Sequence, residues 1–166
     1  MFAQMEHNKE KVRAKPKRDD YNTPKEVWKA VESYIPKDQL IYEPFWNDSS
    51  HSDADLREMG CQVVSRTGDF FTDQPMYSMV VTNPPFSKMK QFVSTLNKEK
   101  PFLFIAPLSL MMREYFQPLR DKVTIIVPRK RIQFEKGGEN NKRSPFDVVY
   151  VTNLKENQRL IYIDGL

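Results

Sequence analysis

Residues 79–86, MVVTNPPF, decide the fold. Met79, Val80, Val81 and Thr82 form an unbroken, largely β-branched run with no polar alternation, the pattern of a strand covered on both faces. The run stops at Asn83-Pro84-Pro85-Phe86. Two consecutive prolines fix the backbone, remove two amide donors and prevent the strand from continuing. The stiff turn is expected to aim two acceptors outward, the Asn83 side-chain oxygen and the Pro84 carbonyl, with the Phe86 ring beside them. Such a set suits an exocyclic amino group on a planar ring, with both N–H bonds accepted and the ring stacked. Holding both protons would draw the nitrogen lone pair out of conjugation and aim it at an electrophile.

Working outward, residues 88–96 (KMKQFVSTL) read as an amphipathic helix and 102–106 (FLFIA) as a second buried strand. Residues 109–116 suggest a short helix and 123–127 a strand, while Gly137-Gly138 marks a loop. The last strands, 148–152 and 160–163, are expected to pair with each other. Upstream, 40–43 and 61–64 are strand candidates that flank a helix over 53–60, with Gly60 as its stop. A first helix opens at Thr23-Pro24, where Thr23 is expected to cap the free amides and Pro24 fits the first turn. Val27, Trp28, Val31 and Ile35 then fall at helical spacing and Pro36 closes the segment. Strands alternating with helices predict an α/β domain whose mostly parallel sheet carries helices on both faces. Ligands bind such sheets at the carboxyl ends of the strands, where the unusual tetrads lie.

The 166 residues, 39% hydrophobic and 12% aromatic, suffice for one folded domain, expected over 21–166 behind a basic arm at 1–20. The longest apolar runs fall far short of the roughly 20 residues of a membrane span, and residues 6–18 are charged rather than signal-like. One cysteine (Cys61) allows no intrachain disulfide, and with only His7 and His51 beside it argues against a zinc site. No metal is therefore expected, and an intracellular, cytoplasmic or host-cell location is. Net charge is +4, but 1–18 and 129–143 each carry a local +4, so the remainder is acidic. Two basic patches on such a body suggest an anionic partner. Lys88, Arg129, Lys130, Arg131, Lys142 and Arg143 are the candidate nucleic-acid contacts. A solubilising tail and an exposed charged loop would leave the same pattern.

VVTNPPFS, residues 80–87, resembles the catalytic motif of S-adenosylmethionine-dependent amino-methyltransferases, especially those that make N6-methyladenine in DNA. Other motifs follow in family order. Tyr21-Asn22-Thr23-Pro24 resembles the Thr-Pro motif that holds the methionine end of the cofactor. Tyr42-Glu43-Pro44-Phe45 resembles the acidic-Pro-Phe motif of the first strand. Gly68-Asp69-Phe70-Phe71 resembles the Asp-Phe motif that lies against the cofactor adenine. Arg131-Ile132-Gln133-Phe134 and Ser144-Pro145-Phe146 resemble the end of small phage and viral adenine methyltransferases.

The resemblance spans roughly residues 20–155 and implies a Rossmann-like class I methyltransferase fold with an antiparallel C-terminal strand. It implies Asn83, Pro84, Pro85 and Phe86 as catalytic residues. Tyr21, Thr23, Pro24, Glu43, Pro44, Phe45, Asp69 and Phe70 would bind S-adenosylmethionine, with Phe71 left to the core. The nucleic-acid partner would be DNA before RNA.

Two stretches depart from the family. The glycine-rich turn after the first strand is replaced by Trp46-Asn47-Asp48-Ser49-Ser50-His51-Ser52, and Ser65-Arg66-Thr67 after the second strand supplies no carboxylate for a ribose. Asp48 and Asp53 are the nearest substitutes. A non-catalytic, methyltransferase-like binding subunit therefore stays open as a second reading, and RNA or protein glutamine as a different acceptor. No separate target-recognition domain is visible, so selectivity is expected to be weak, confined to a short site, or supplied by a partner in a homo- or hetero-oligomer.

Overall fold

The computed structural model describes residues 21–45, 51–64, 68–136, 147–154 and 157–164. The arm at 1–20, most of the glycine-free turn, Ser65-Arg66-Thr67, Gly137-Gly138, Lys142, Arg143 and Ser144-Pro145-Phe146 lie outside the described residues.

Seven strands make the main sheet: β2 (Leu40–Tyr42), β3 (Gln62–Val64), β4 (Met79–Thr82), β5 (Phe102–Pro107), β6 (Thr124–Pro128), β8 (Val148–Thr152) and β9 (Leu160–Ile163). Their spatial order is β3-β2-β4-β5-β8-β6-β9. β8 runs antiparallel to both its neighbours, and every other adjacent pair is parallel. This mostly parallel α/β sheet, with helices on both faces and one reversed strand, β8, is the expected Rossmann-like architecture. A separate two-stranded antiparallel pair joins β1 (Tyr21–Asn22) to β7 (Glu135–Lys136).

The expected pairing of the last two strands does not form. β8 is occupied on one edge by β5, with Leu103 opposite Thr152, and on the other by β6, with Thr124 opposite Thr152. β9 therefore adds to the far edge of β6, in parallel, with Ile126 opposite Ile161.

Strand alternation divides the core into two layers. From β5, Phe102, Phe104 and Ala106 face one layer, which also holds Phe92, Val93 and Leu96. Leu103 and Ile105 face the other, with Val27, Trp28, Val31 and Leu56. α3 (Met89–Thr95) and α4 (Gln117–Arg120) thus cover one face of the sheet, and α1 (Lys25–Lys29) and α2 (Ser52–Glu58) cover the opposite one. Gly60, at φ 93°, ends α2 in the left-handed region that glycine enters without a side-chain penalty.

Two helical expectations change. The apolar face of Val27, Trp28, Val31 and Ile35 is buried as predicted, yet the α-helix lasts only five residues before a 3-10 turn at Glu32–Tyr34. The segment 109–116 is not one helix. Arg113 adopts extended angles (φ −82°, ψ 136°) and separates two 3-10 turns, Leu108–Met112 and Glu114–Phe116.

Among the described residues no helix is long and apolar enough to cross a membrane, and no group of three His, Cys, Asp or Glu could hold a metal ion.

Candidate active site

Strand order reverses between β2 and β4: the chain leaves β2 toward β3 on one side and returns to β4 on the other. β2 and β4 are direct parallel neighbours, with Tyr42 opposite Val80, so Glu43 and Asn83 emerge side by side at their carboxyl ends. This is the switch point at which open α/β sheets bind ligands.

Asn83 is held from two directions. Its Nδ2 donates to Thr23 Oγ1 at 2.9 Å, across 60 positions of sequence. Its backbone N–H is also hydrogen-bonded to the Glu43 carboxyl group. Thr23 is consequently not the helix cap expected from sequence. Pro24 takes the cap position with extended angles and no side-chain cap bond, and the buried Thr23 hydroxyl serves the Asn83 turn instead. With Nδ2 so anchored, Asn83 Oδ1 is shielded from water and has no hydrogen-bond partner among the described residues. The expectation of an outward-pointing oxygen is corrected to this extent: the acceptor is withdrawn from solvent and unsatisfied. Leaving such a group unpaired costs about 1–3 kcal/mol. Pro84 is buried, and Pro85 and Phe86 are half-buried. The Pro85 carbonyl closes the turn by accepting from Lys88 N at 2.9 Å.

Glu43 turns inward. It is 1% exposed, and its Oε1 accepts the Phe45 N–H at 2.9 Å and the Thr82 hydroxyl. Burial pushes its pKa up to about 7, against the lowering effect of the hydrogen bonds from Thr82, Phe45 N and Asn83 N. Sequence reading assigned this carboxylate to the cofactor. Its contacts make it instead the clamp between the ends of β2 and β4. Thr82, the hydroxyl that completes the clamp, was missed. Its only signal was a lone polar residue closing an otherwise apolar strand.

The Asp69 turn exchanges the roles expected of its two phenylalanines. Asp69 is exposed and its Oδ1 accepts the Phe71 N–H at 2.9 Å, while its carbonyl accepts Thr72 N and Asp73 N. That geometry drives Phe70 inward to 2% exposure, stacked on Phe92 at 5.2 Å. Phe71 stays half-buried, 5.9 Å from the half-buried Phe45 ring. Phe70 is therefore core, and Phe45 and Phe71 form the aromatic wall. An apolar wall with the Asp69 carboxylate beside it, at the carboxyl ends of the strands, fits the adenosine part of a nucleoside cofactor. Asp53, one substitute for a ribose carboxylate, is engaged with Arg57 at 3.0 Å, and Asp48 lies outside the described residues. Tyr21 pairs through β1 with Lys136, which brings the segment after Arg131-Ile132-Gln133-Phe134 against the Thr-Pro motif. Pro44 is buried, and His51 is exposed at the start of α2.

The basic candidates separate in space. Arg129 pairs with Asp164 at 2.9 Å and Arg131 with Asp147 at 3.0 Å, so two of the three cations in 129–131 are balanced. Lys130 is exposed. Lys88 sits beside the site, its Nζ 5.6 Å from the centre of the Phe71 ring.

No protein-family model and no curated protein matches the sequence. Solved structures do. A protein from Agrobacterium tumefaciens with a predicted O-methyltransferase assignment aligns at TM-score 0.44 and 11% identity, over 75% of this chain and 77% of its own. A protein from Pyrococcus horikoshii with a provisional RNA methyltransferase assignment aligns at TM-score 0.46 and 12% identity, over 80% and 84%. At such values neither neighbour supplies a residue role.

Proposed function

We propose that this protein transfers a methyl group from S-adenosylmethionine to the exocyclic N6 amine of adenine in DNA. The observation that carries the reading is the placing of Asn83 at the switch point of the sheet, anchored through Nδ2 by Thr23 and through its backbone N–H by Glu43, with no partner for Oδ1 among the described residues. An amino group on a planar ring is the donor that fills this acceptor while Phe86 takes the ring face.

Bound at the Phe45–Phe71 wall, with Asp69 beside the ribose or adenine, the cofactor supplies an electrophilic methyl on a sulfonium. The chain's own part is positioning. Asn83 Oδ1 and the Pro84 carbonyl accept the two amine protons, which orients the nitrogen lone pair. Glu43 and Thr82 hold the turn in register through the Asn83 and Phe45 amides. In a duplex the base has to leave the stack before Phe86 can cover it. Methylation acidifies the amine, and its proton leaves to solvent, so no strongly basic side chain is required.

Asn83→Ala tests the assignment. Transfer falls by at least about 10²-fold, as for loss of one preorganised polar group, while calorimetric affinity for S-adenosylmethionine stays within about threefold. A folded variant that loses cofactor binding, or keeps its rate, contradicts the assigned role.

A further inference from the structure

A groove of about 410 Å³ opens on the exposed side of α3, lined by Ser87, Lys88, Lys90, Gln91, Ser94 and Tyr115. Ser87 and Lys88 directly follow Phe86 in the chain, so the groove begins where the turn that would receive the target ring ends. Its far wall is Tyr115, from the 3-10 turn after β5, which packs against α3. The lining holds two lysines and no carboxylate. Among the described residues neither Lys88 nor Lys90 forms an ion pair, whereas Arg129 and Arg131 do. Tyr115 is half-buried and lines the groove.

We propose that this groove carries the single DNA strand flanking the target nucleotide, with Lys88 and Lys90 against successive phosphates and Tyr115 stacking a neighbouring base. The inference rests on the reading under Proposed function and adds a path to it. A flexible phosphodiester strand needs dispersed cations, hydroxyl and amide groups for phosphate oxygens, and an aromatic face. This groove has each of them and lies beside the turn. The strand track would thus leave the site over α3, away from the 129–131 segment favoured by charge counting alone.

The test is fluorescence anisotropy of a labelled 12-nucleotide oligodeoxynucleotide, titrated without cofactor at several salt concentrations. The wild type, Lys88→Gln/Lys90→Gln, Tyr115→Leu and Arg129→Gln/Arg131→Gln are compared, with circular dichroism as a folding check. The proposal predicts that the lysine pair loses about tenfold in affinity at low salt and lowers the salt slope by about 1.4. Tyr115→Leu loses about 5- to 100-fold with the slope unchanged, and the arginine pair stays within about twofold. The proposal is overturned by a larger loss in the arginine pair, by folded groove variants that match the wild type, by wild-type binding weaker than about 10⁻⁴ M, or by tighter binding of the matching oligoribonucleotide. Calorimetry with S-adenosylmethionine separates the two claims. Groove binding without cofactor binding sinks the methyl-transfer reading alone, and cofactor binding with unaffected groove variants sinks the groove alone.

Discussion

Thr23 and Asn83 show how one side chain can be assigned to the wrong task from its neighbours in sequence. A threonine before proline at a helix start is a natural cap, yet its hydroxyl accepts from an asparagine 60 positions away. The bond matters because an asparagine amide has four hydrogen-bonding positions and a free rotation about its last torsion. Anchoring Nδ2 leaves Oδ1 only one direction to face. Thr23→Val, nearly the same shape without the hydroxyl, removes the acceptor and frees the amide. Urea unfolding should report a loss of about 1–2 kcal/mol. The methyl-transfer rate should fall at least tenfold with cofactor affinity nearly unchanged, and Thr23→Ser should restore both. Phe70 and Phe71 carry the same lesson. Both are aromatic and adjacent, and only the Asp69 turn decides which ring enters the core.

Between elements, Glu43 is the joint that sets the end of β2 against the end of β4. Its carboxyl is fully buried and pushed up to about 7, against an ordinary 4.5. A carboxyl raised by folding favours the protonated native state, so its contribution is complete below about pH 4.5 and is lost as pH rises to about 7. The shift corresponds to about 3 kcal/mol across that window. Glu43→Gln keeps an uncharged acceptor of the same length. Unfolding free energies at pH 5 and pH 8 should differ by roughly that amount more in the wild type than in the variant. An equal difference in both would remove Glu43 from this role.

The elements themselves differ in how legible they were. β4 and β5 stand out because burial on both faces leaves unbroken apolar runs, MVV and FLFIA. The pair of β1 and β7 is invisible, since two residues each carry no period and are defined only by pairing Tyr21 with Lys136. The place of β9 was missed for a related reason. Local pattern marks a strand but not which edge is already occupied, and β6 had filled the second edge of β8.

At the scale of the whole molecule, the first helix and the reversed strand are joined through the Tyr150 hydroxyl, which donates to the Val27 carbonyl at 2.6 Å across 123 positions. The layer around it is packed largely from apolar side chains such as Trp28, Leu56, Leu103 and Ile105, so this bond satisfies a buried polar pair and ties α1 to the sheet. Tyr150→Phe should lower stability by about 0.5–1.5 kcal/mol and leave cofactor binding and transfer rate unaltered. Differential scanning calorimetry beside a transfer assay would check both parts. The candidate site was legible as an ordered set of motifs, because NPPF, the Thr-Pro pair and the Asp-Phe pair each carry local backbone chemistry. Their division of labour was not. The clamp through Glu43 and Thr82, the anchor through Thr23 and the inward turn of Phe70 all depend on contacts between distant segments.

The central claim is that Asn83 receives an adenine amine for methylation, and product analysis tests it most directly. Purified protein would be incubated with methyl-labelled S-adenosylmethionine and unmethylated DNA, RNA or protein, and each pool digested and separated by mass spectrometry. The account predicts label in the DNA pool, carried by N6-methyladenine and absent with Asn83→Ala. Label confined to RNA or to glutamine, label on a ring carbon or hydroxyl, or no incorporation by a folded, cofactor-binding protein would contradict it.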